Sequence, residues 1–255
     1  MKTLTTVLQQ KKDQGEKLFI PYIMAGANGL ERLPAEIEML VASGASAIEL
    51  GVPFSDPVAD GPTIQQAAIQ ARANGVTLKK IIQLLQEIKV AVPLILMGYA
   101  NSFFHYGIEQ FVADLQTTDV KGIIIPDLPY EHREMFMEPA KTADLAFIQL
   151  VTLTSSSERI AQLVDGAEGF IYAVTIKGTT GTGQAYEEKL YQHLANVTAK
   201  SQIPVLAGFG VSKAEHVQQF NQFCDGVVIG SSIVQSLSEE GITATKQKID
   251  TIFNE

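Results

Sequence analysis

Short apolar runs recur along the chain and predict eight β-strands. The runs cover residues 18–24, 45–50, 94–97, 122–125, 146–151, 169–174, 204–207 and 226–229. Apolar residues at successive positions, rather than at alternating ones, are typical of strands that are buried on both faces of a parallel sheet. We therefore expect a parallel sheet with helices packed on its faces.

The segments between these runs carry apolar residues at helical spacing. Residues 78–88 hold one such stripe, and Thr77, Ser156 and Ser212 are start signals for three of the predicted helices. Alternation of strand and helix predicts parallel strands joined by right-handed crossovers. Eight repeats favour a closed (β/α)8 TIM barrel over an open doubly wound sheet, with an additional helix before the first strand.

One connection is much longer than the others and draws attention to the second strand. Between strands two and three the chain reads GVPFSDPVADGPT, followed by a further helical stretch at residues 64–73. A long loop after a barrel strand is usually functional and lies at the C-terminal face, where barrel active sites form. No linker or charge block divides the chain, so we expect one domain over residues 1–255.

Three carboxylates lie in or after the second strand. Glu49 is a lone charge in an apolar run, and burial would raise its pKa and let it carry a proton near neutral pH. A salt-bridged structural glutamate is the alternative. Asp56 and Asp60 lie in the following loop, which three prolines stiffen. Spacing alone does not decide which of the two matters, since Asp56 also suits a turn.

Glycine-containing segments follow the predicted strands six, seven and eight, at residues 178–183, 208–210 and 230–232. Barrels often bind phosphate with the loops after strands seven and eight and a helix N-terminus. Glycine lets backbone N–H groups approach the phosphate oxygens. Each segment alone is weak evidence, but together they predict a phosphate site. The four histidines show no metal-binding spacing, so no metal site is expected.

Composition narrows the function classes. The formal net charge of −9 argues against a nucleic-acid-binding role. Cys224 is the only cysteine, which excludes an intrachain disulfide and fits a reducing cytosol. The first residues are too polar for a signal peptide, and no apolar run reaches the roughly 18 residues of a membrane span. We expect a cytoplasmic protein that does not bind membranes.

The run ELGVPFSDPVADGPTIQQA closely resembles the signature of tryptophan synthase α subunits. The resemblance extends through PYIMAG, LMGYAN, IIIPDLP, LAGFGVS and VVIGSSIV, and so covers nearly the whole chain. It implies a lyase that cleaves indole-3-glycerol phosphate to indole and glyceraldehyde 3-phosphate in a retro-aldol reaction. It also implies no cofactor in this chain and a partner, a pyridoxal-phosphate β subunit, in an α2β2 complex.

The resemblance also implies roles for particular residues. Glu49 matches the general acid/base, and Asp60 matches the residue that binds the indole N–H and stabilises positive charge on the ring. The other matched residues are the phosphate-binding Gly181, Gly210, Gly230 and Ser231, the indole-pocket Tyr22, Tyr99, Tyr172 and Phe209, and the lid Thr180. The pocket aromatics have an alternative interpretation as ordinary core residues. We expect Pro53, Asp56 and Pro57 to contact the partner, because their loop joins a catalytic residue to the barrel rim.

The sequence departs from the family pattern at several positions. Tyr22 stands where many members have Phe, Thr152 where Pro is usual, and Ile176 where Arg is frequent. The lid segment reads TIKGTTGTG rather than the commoner SRxGVTG. Three alternatives stay open: another phosphate-binding barrel enzyme, a stand-alone lyase that releases free indole, and a non-catalytic regulatory barrel. The last would be expected to lack Glu49 or Asp60.

Overall fold

Parallel strands form one sheet in the computed structural model, which describes residues 1–174, 184–208 and 213–254. The hydrogen-bonded order is β5-β4-β3-β2-β1-β9-β8-β7-β6. The nine strands of the described residues are β1 (Leu18–Met24), β2 (Ile48–Gly51), β3 (Leu94–Met97), β4 (Val120–Ile124), β5 (Ala146–Phe147), β6 (Gln149–Thr152), β7 (Ile171–Val174), β8 (Val205–Gly208) and β9 (Gly226–Ile229).

The two strands at the ends of this order are pieces of a single predicted strand. β5 pairs with β4 and β6 pairs with β7, and only Ile148 separates β5 from β6. The backbone N–H of Ile148 still donates to the carbonyl of Ile123, at 3.0 Å. One continuous segment therefore joins both edges of the sheet, and the predicted eight-stranded barrel is confirmed, with its fifth strand broken at Ile148.

Three strands, β1, β3 and β9, begin and end where the apolar runs predict. β2 starts three residues later than predicted. Before it, Ser46 already bonds to β1, donating its N–H to the carbonyl of Phe19 at 2.7 Å. β7 starts two residues late, because Gly169 has a φ of 71° and its N–H donates to the Thr5 hydroxyl at 2.7 Å. Tertiary contacts thus shift strand ends that the apolar pattern alone misplaces.

Helices cover the outside of the barrel. In the described residues they are α1 (Thr3–Asp13), α2 (Leu33–Ala42), α3 (Pro62–Ala73), α4 (Leu78–Glu87), α5 (Ala100–Tyr106), α6 (Ile108–Leu115), α7 (Glu134–Ala140), α8 (Ser157–Val164), α9 (Gln184–Lys200), α10 (Ala214–Phe220), α11 (Ser231–Glu239) and α12 (Gly241–Asn254). Short 3-10 turns lie at Leu30–Arg32 and Tyr130–His132. The predicted extra helix in the loop after strand two is α3. None of the helices in these ranges has the length and apolar character that crossing a membrane requires.

Two of the three predicted helix start signals are caps in the structure. Thr77 accepts a hydrogen bond from the N–H of Lys80 at 3.3 Å, at the start of α4. Ser156 accepts one from the N–H of Arg159 at 3.2 Å, at the start of α8. Such caps satisfy N–H groups that have no partner within the helix. The third signal, Ser212, lies outside the described residues.

The predicted N-terminal helix, α1, closes the N-terminal end of the barrel. Leu4 is fully buried, and a Cβ built at Gly122 or Gly169 would lie 2.7 or 3.0 Å from its Cδ2 atom. The two glycines therefore leave the room that the leucine fills. Lys12 forms an ion pair with Asp225, which directly precedes β9, at 3.1 Å. Because α1 occupies this end, chemistry is expected at the opposite one, where the strands finish.

Candidate active site

Glu49 lies on β2 and is completely buried. β2 runs between β1 and β3, and Glu49 is in register with Tyr22 on one side and Ile95 on the other. Both carboxylate oxygens are buried, and neither has a hydrogen-bond partner or an ion pair among the described residues. Burial, and secondarily the charge of Asp60, raises the pKa of Glu49 to about 8. The alternative of a salt-bridged structural glutamate therefore has no support in this part of the chain.

Asp60 is the second carboxylate of the site. It lies near the end of the loop after β2 and is half-buried, and its charge adds to the effect of burial on the pKa of Glu49. Burial raises the pKa of Asp60 to about 6, and a hydrogen bond with Tyr99 opposes that rise. Asp56 is exposed and hydrogen-bonded to the hydroxyl of its neighbour Ser55. The structure thus brings Asp60, rather than Asp56, close to Glu49, a choice that spacing left open.

Tyr99 fixes the end of the loop against the barrel. It lies two residues after the end of β3 and directly before α5, and its side chain is 3% exposed. Its hydroxyl oxygen accepts a hydrogen bond from the N–H of Ala59 at 3.0 Å and is also hydrogen-bonded to the Asp60 carboxylate. Its ring stacks on Phe54, with centroids 5.0 Å apart and an interplanar angle of 17°. One side chain therefore contacts the loop at its start and at its end.

Tyr22 and Tyr172 complete the aromatic surroundings of the carboxylates. Both rings are buried, Tyr22 on β1 and Tyr172 on β7. Burial raises the pKa of both phenols well above the usual value, and the charges of Glu49 and Asp60 raise it further. Those electrostatic effects indicate that both rings lie near the two acids. Tyr22, Tyr99 and Tyr172, which the family resemblance implied as pocket residues, thus surround one site.

Two strands end in glycine, and the lack of a side chain there makes room for these rings. A Cβ at Gly51, the last residue of β2, would overlap the Tyr22 hydroxyl and lie 2.6 Å from its Cζ atom. A Cβ at Gly208, the last residue of β8, would lie 2.6 Å from the Cζ of Tyr172. Since real side-chain contacts are not that short, glycine is needed at both positions for the tyrosines to take these places.

The N-terminus of α11 opens beside the same pocket. Gly230 precedes the helix without a side-chain cap, and a Cβ built on it would lie 3.4 Å from that of Tyr22. Ser231, the first helical residue, is exposed. Unpaired N–H groups at a helix start favour a bound anion. Ser232 lies in the predicted phosphate segment 230–232 but was given no role of its own, and its hydroxyl is buried there with no hydrogen-bond partner in the described ranges. The repeated serine of the GSS motif was the available signal.

The remaining predicted residues fall into two groups. Gly181, Phe209, Gly210 and Thr180 lie outside the described residues. Pro53, Asp56 and Pro57 lie in the loop after β2, with the prolines half-buried and the aspartate exposed. Val58 in the same loop was not predicted, but it is 83% exposed. The outer surface of this loop therefore combines an exposed valine with the exposed polar residues Ser55 and Asp56.

The chain is similar to known proteins over nearly its whole length. The family model described as Tryptophan synthase alpha chain matches residues 8–254. The tryptophan synthase alpha chain of Streptococcus thermophilus is 52% identical over 240 residues, which cover 93% of this chain and 92% of that protein. The Listeria monocytogenes protein of the same name is 51% identical over 239 residues, covering 94% and 92%.

Solved structures give the same result. Tryptophan synthase subunit alpha from Legionella pneumophila superposes with a TM-score of 0.90 at 28% identity, covering 99% of this chain and 97% of that one. The subunit from Campylobacter jejuni has a TM-score of 0.87 at 32% identity, covering 95% and 98%. These matches, which agree with the acid pair of Glu49 and Asp60 in the barrel, show that the chain belongs to the tryptophan synthase alpha chain family, lyases that cleave indole-3-glycerol phosphate.

Proposed function

We propose that Glu49 and Asp60 divide the chemistry of indole-3-glycerol phosphate cleavage between them. The observation that carries this proposal is the difference between the two carboxyl groups. The pKa of Glu49 is raised to about 8 and that of Asp60 to about 6, so near neutral pH the proton resides on Glu49 while Asp60 is ionised. Two acids whose environments separate their pKa values are the usual basis for distinct acid and anion roles.

The retro-aldol step requires both states. Glu49 donates its proton to C3 of the indole ring, which produces a cationic ring with positive charge at nitrogen. The ionised Asp60 accepts a hydrogen bond from the ring N–H and stabilises that charge. The bond between C3 and the glycerol side chain then breaks, its electron pair returns to the ring, and the glycerol hydroxyl loses its proton to Glu49. Indole and an aldehyde leave, and Glu49 is protonated again.

The substrate is held at its two ends by different parts of the barrel. We assign the indole ring to the pocket of Tyr22, Tyr99 and Tyr172, because these buried rings surround the carboxylates. We assign the phosphate to Gly230 and Ser231, because α11 begins there with unpaired N–H groups. The family resemblance adds Gly181 and Gly210 at the phosphate, Phe209 at the indole ring, and Thr180 in the lid over the substrate.

The β subunit is proposed as the partner, in an α2β2 complex. The family resemblance supports it, and the loop surface of Pro53, Asp56, Pro57 and Val58 offers exposed contacts beside the catalytic acid. The family is not known to need a cofactor of its own. We therefore propose that this chain uses none and that pyridoxal phosphate belongs to the β subunit. We also propose a cytoplasmic location, because the pathway is biosynthetic.

Release of indole from indole-3-glycerol phosphate tests this function directly. Purified protein is assayed with and without a tryptophan synthase β subunit, and Glu49→Gln serves as the variant that lacks the acid. We expect slow release by the isolated chain, faster release in the complex, and a loss of at least two orders of magnitude in kcat for the variant. A variant that keeps more than a tenth of wild-type kcat would contradict the acid/base role. Activity that the β subunit leaves unchanged would favour a stand-alone lyase.

A further inference from the structure

A second cavity lies between β1 and three of the outer helices. It has a volume of about 480 Å³ and is lined by α2, α3, α11, the end of β1 and the segment after it. Ile23 and Met24 line it from β1. Neither of the two carboxylates of the candidate active site, nor any of its three tyrosines, is among the described residues that line this cavity. The cavity is therefore distinct from the candidate active site.

A buried carboxylate faces this cavity. Glu36 on α2 lines it and is only 3% exposed. Its Oε1 atom accepts one hydrogen bond, from the Nδ2 of Asn28 at 2.9 Å. No ion pair to Glu36 occurs in the part of the chain that the structure describes. Burial raises the pKa of Glu36, while the hydrogen bond from Asn28 and, to a lesser degree, the attraction of the exposed Arg32 oppose that rise.

The rest of the lining suits an amphipathic ligand. Ala67 and Val234 form an apolar wall together with Ile23, while the amides of Gln66 and Gln70 lie on the side of α3. No lysine or arginine is among the described side chains that line the cavity. Glu36 has a hydrogen bond from Asn28 but no cation within ion-pair distance among the described residues, and a buried carboxylate that is ionised without a cationic partner is costly. The cavity thus has an acceptor for a cation, an apolar surface beside it, and the size of a small-molecule site.

We propose that this cavity binds a small organic cation, a protonated amine or amidine carried on an apolar body. The cation lies against the Glu36 carboxylate and forms a charge-assisted hydrogen bond. The apolar body packs on Ile23, Ala67 and Val234. The oxygens of side-chain amides accept hydrogen bonds from the remaining N–H groups of the cation. This site is separate from the proposed lyase chemistry and does not depend on it.

Binding is tested with two probes of nearly equal shape, 2-phenylethylamine and 2-phenylethanol, titrated into the full chain and followed by amide NMR shifts. We expect the amine to bind with a Kd at least tenfold lower than that of the alcohol. The shifts should centre on Ala67, Val234 and their neighbours. Equal affinity of the two probes, or no binding of the amine at millimolar concentration, would overturn the proposal.

Variants locate the site. Glu36→Gln keeps the acceptor for Asn28 but removes the charge, and we expect it to raise the Kd of the amine at least tenfold. Glu38→Gln removes one exposed charge from the same helix and should leave the Kd unchanged. Ala67→Leu fills the cavity without touching the carboxylate and should also abolish binding, which keeps the test valid if Glu36→Gln fails to fold. Binding that survives both cavity variants but is lost in Glu49→Gln would place the amine in the catalytic pocket and refute the proposal.

Discussion

The Tyr99 hydroxyl is hydrogen-bonded to the carboxylate of Asp60, and this contact opposes the effect of burial on that acid. Burial raises the pKa of both proposed catalytic carboxyls, and the charge of Asp60 raises that of Glu49 further. Glu49 has no hydrogen-bond partner among the described residues, whereas Asp60 has Tyr99. The pKa values therefore separate, to about 8 and about 6. In the proposed mechanism this separation decides which group carries the proton.

Removing the Tyr99 hydroxyl tests that relationship. Tyr99→Phe keeps the ring that stacks on Phe54 but loses the bonds to Ala59 and Asp60. We expect kcat to fall about tenfold or more, since misplacement of a catalytic group is costly. The acidic limb of the kcat/KM profile should move to higher pH, because Asp60 loses the bond that favours its ionised form.

A matched control exists elsewhere in the chain. Tyr106 donates a hydrogen bond to Asp114 at 2.6 Å, between two outer helices. Tyr106→Phe loses the same type of bond, worth about 1–2 kcal/mol of stability, away from the catalytic carboxyls. Steady-state kinetics of both variants should therefore show a changed pH profile for Tyr99→Phe alone. A similar change in both would attribute the effect to stability rather than to Asp60.

The wild-type pH profile follows from the same two acids. The active form has Asp60 ionised and Glu49 protonated. Activity should therefore rise with pH through about 6 and fall above about 8. kcat/KM for indole release, measured from pH 5 to pH 9.5, checks both limbs. A profile that keeps rising above pH 8.5 would contradict Glu49 as the acid.

The contribution of Glu49 to stability should depend on pH in the opposite way to that of a typical surface acid. The pKa of Glu49 rises from 4.5 in the unfolded chain to about 8 in the folded one, so between these values the folded state holds the extra proton. The contribution of Glu49 to stability is thus present below pH 4.5 and is lost as the pH rises to 8. Glu49→Gln is neutral throughout.

We therefore expect Glu49→Gln to raise the Tm, and to raise it more at pH 8 than at pH 5. At pH 8 the substitution should raise the free energy of unfolding by on the order of a few kcal/mol, since each pKa unit corresponds to about 1.4 kcal/mol. Thermal unfolding of both proteins at the two pH values measures it. An equal Tm difference at both would show that Glu49 does not titrate in this window.

The sequence predicted some of this site for clear physical reasons. A single charge in an apolar strand is conspicuous, so Glu49 was identifiable before any fold was known. Spacing did not decide between Asp56 and Asp60, and only the family resemblance implied Asp60, because the choice depends on the path of the loop. That path is fixed by Tyr99, which lies on a different barrel segment. Long-range contacts of this kind leave no local signal in the sequence.

The barrel, like the site, was predictable from the sequence only in part. Continuous apolar runs located every strand, since burial on both faces requires them. The break at Ile148 and the late start of β7 after Gly169 were missed, because both arise where α1 fills the barrel end. Leu4 fills the space beside Gly122 and Gly169 only in the folded chain. An apolar pattern cannot indicate which residues will meet in this way.

Gly51 offers a steric test of the aromatic pocket. In Gly51→Ala the new Cβ would overlap the Tyr22 hydroxyl and approach the Met24 Cε atom to 3.1 Å, so the tyrosine must move. We expect KM to rise at least tenfold and the free energy of unfolding to fall by about 1–3 kcal/mol, as for other overpacked sites. Gly61→Ala is the control, because a Cβ there meets nothing within 4 Å. Kinetics and denaturant unfolding are measured for both variants. An effect in Gly51→Ala alone is due to displacement of Tyr22, whereas an effect in both is due to the replacement of glycine itself.

Asp56 tests the connection between the proposed partner and the catalytic acid. Two backbone hydrogen bonds hold the loop between Asp56 and Asp60. The N–H of Val58 donates to the carbonyl of Asp56 at 2.9 Å, and the N–H of Asp60 donates to the carbonyl of Pro57 at 3.1 Å. A partner that holds Asp56 and Pro57 therefore also restrains Asp60. Activation requires that the β subunit bind the ordered loop more tightly than other loop conformations. We expect Asp56→Ala to weaken activation by the β subunit at least fivefold while changing the basal rate less than twofold.

The measurement is indole release at saturating substrate, titrated with β subunit, for wild type, Asp56→Ala and a charge control. Glu87→Ala serves as that control, because Glu87 is an exposed acid at the end of α4, in a different part of the chain from this loop. The control should match wild type in both basal and activated rates. If Asp56→Ala is activated as strongly as wild type, the loop does not transmit the partner's effect through this residue. A large loss of basal activity would instead mean that Asp56 shapes the site directly, since Asp60 then depends on it without any partner.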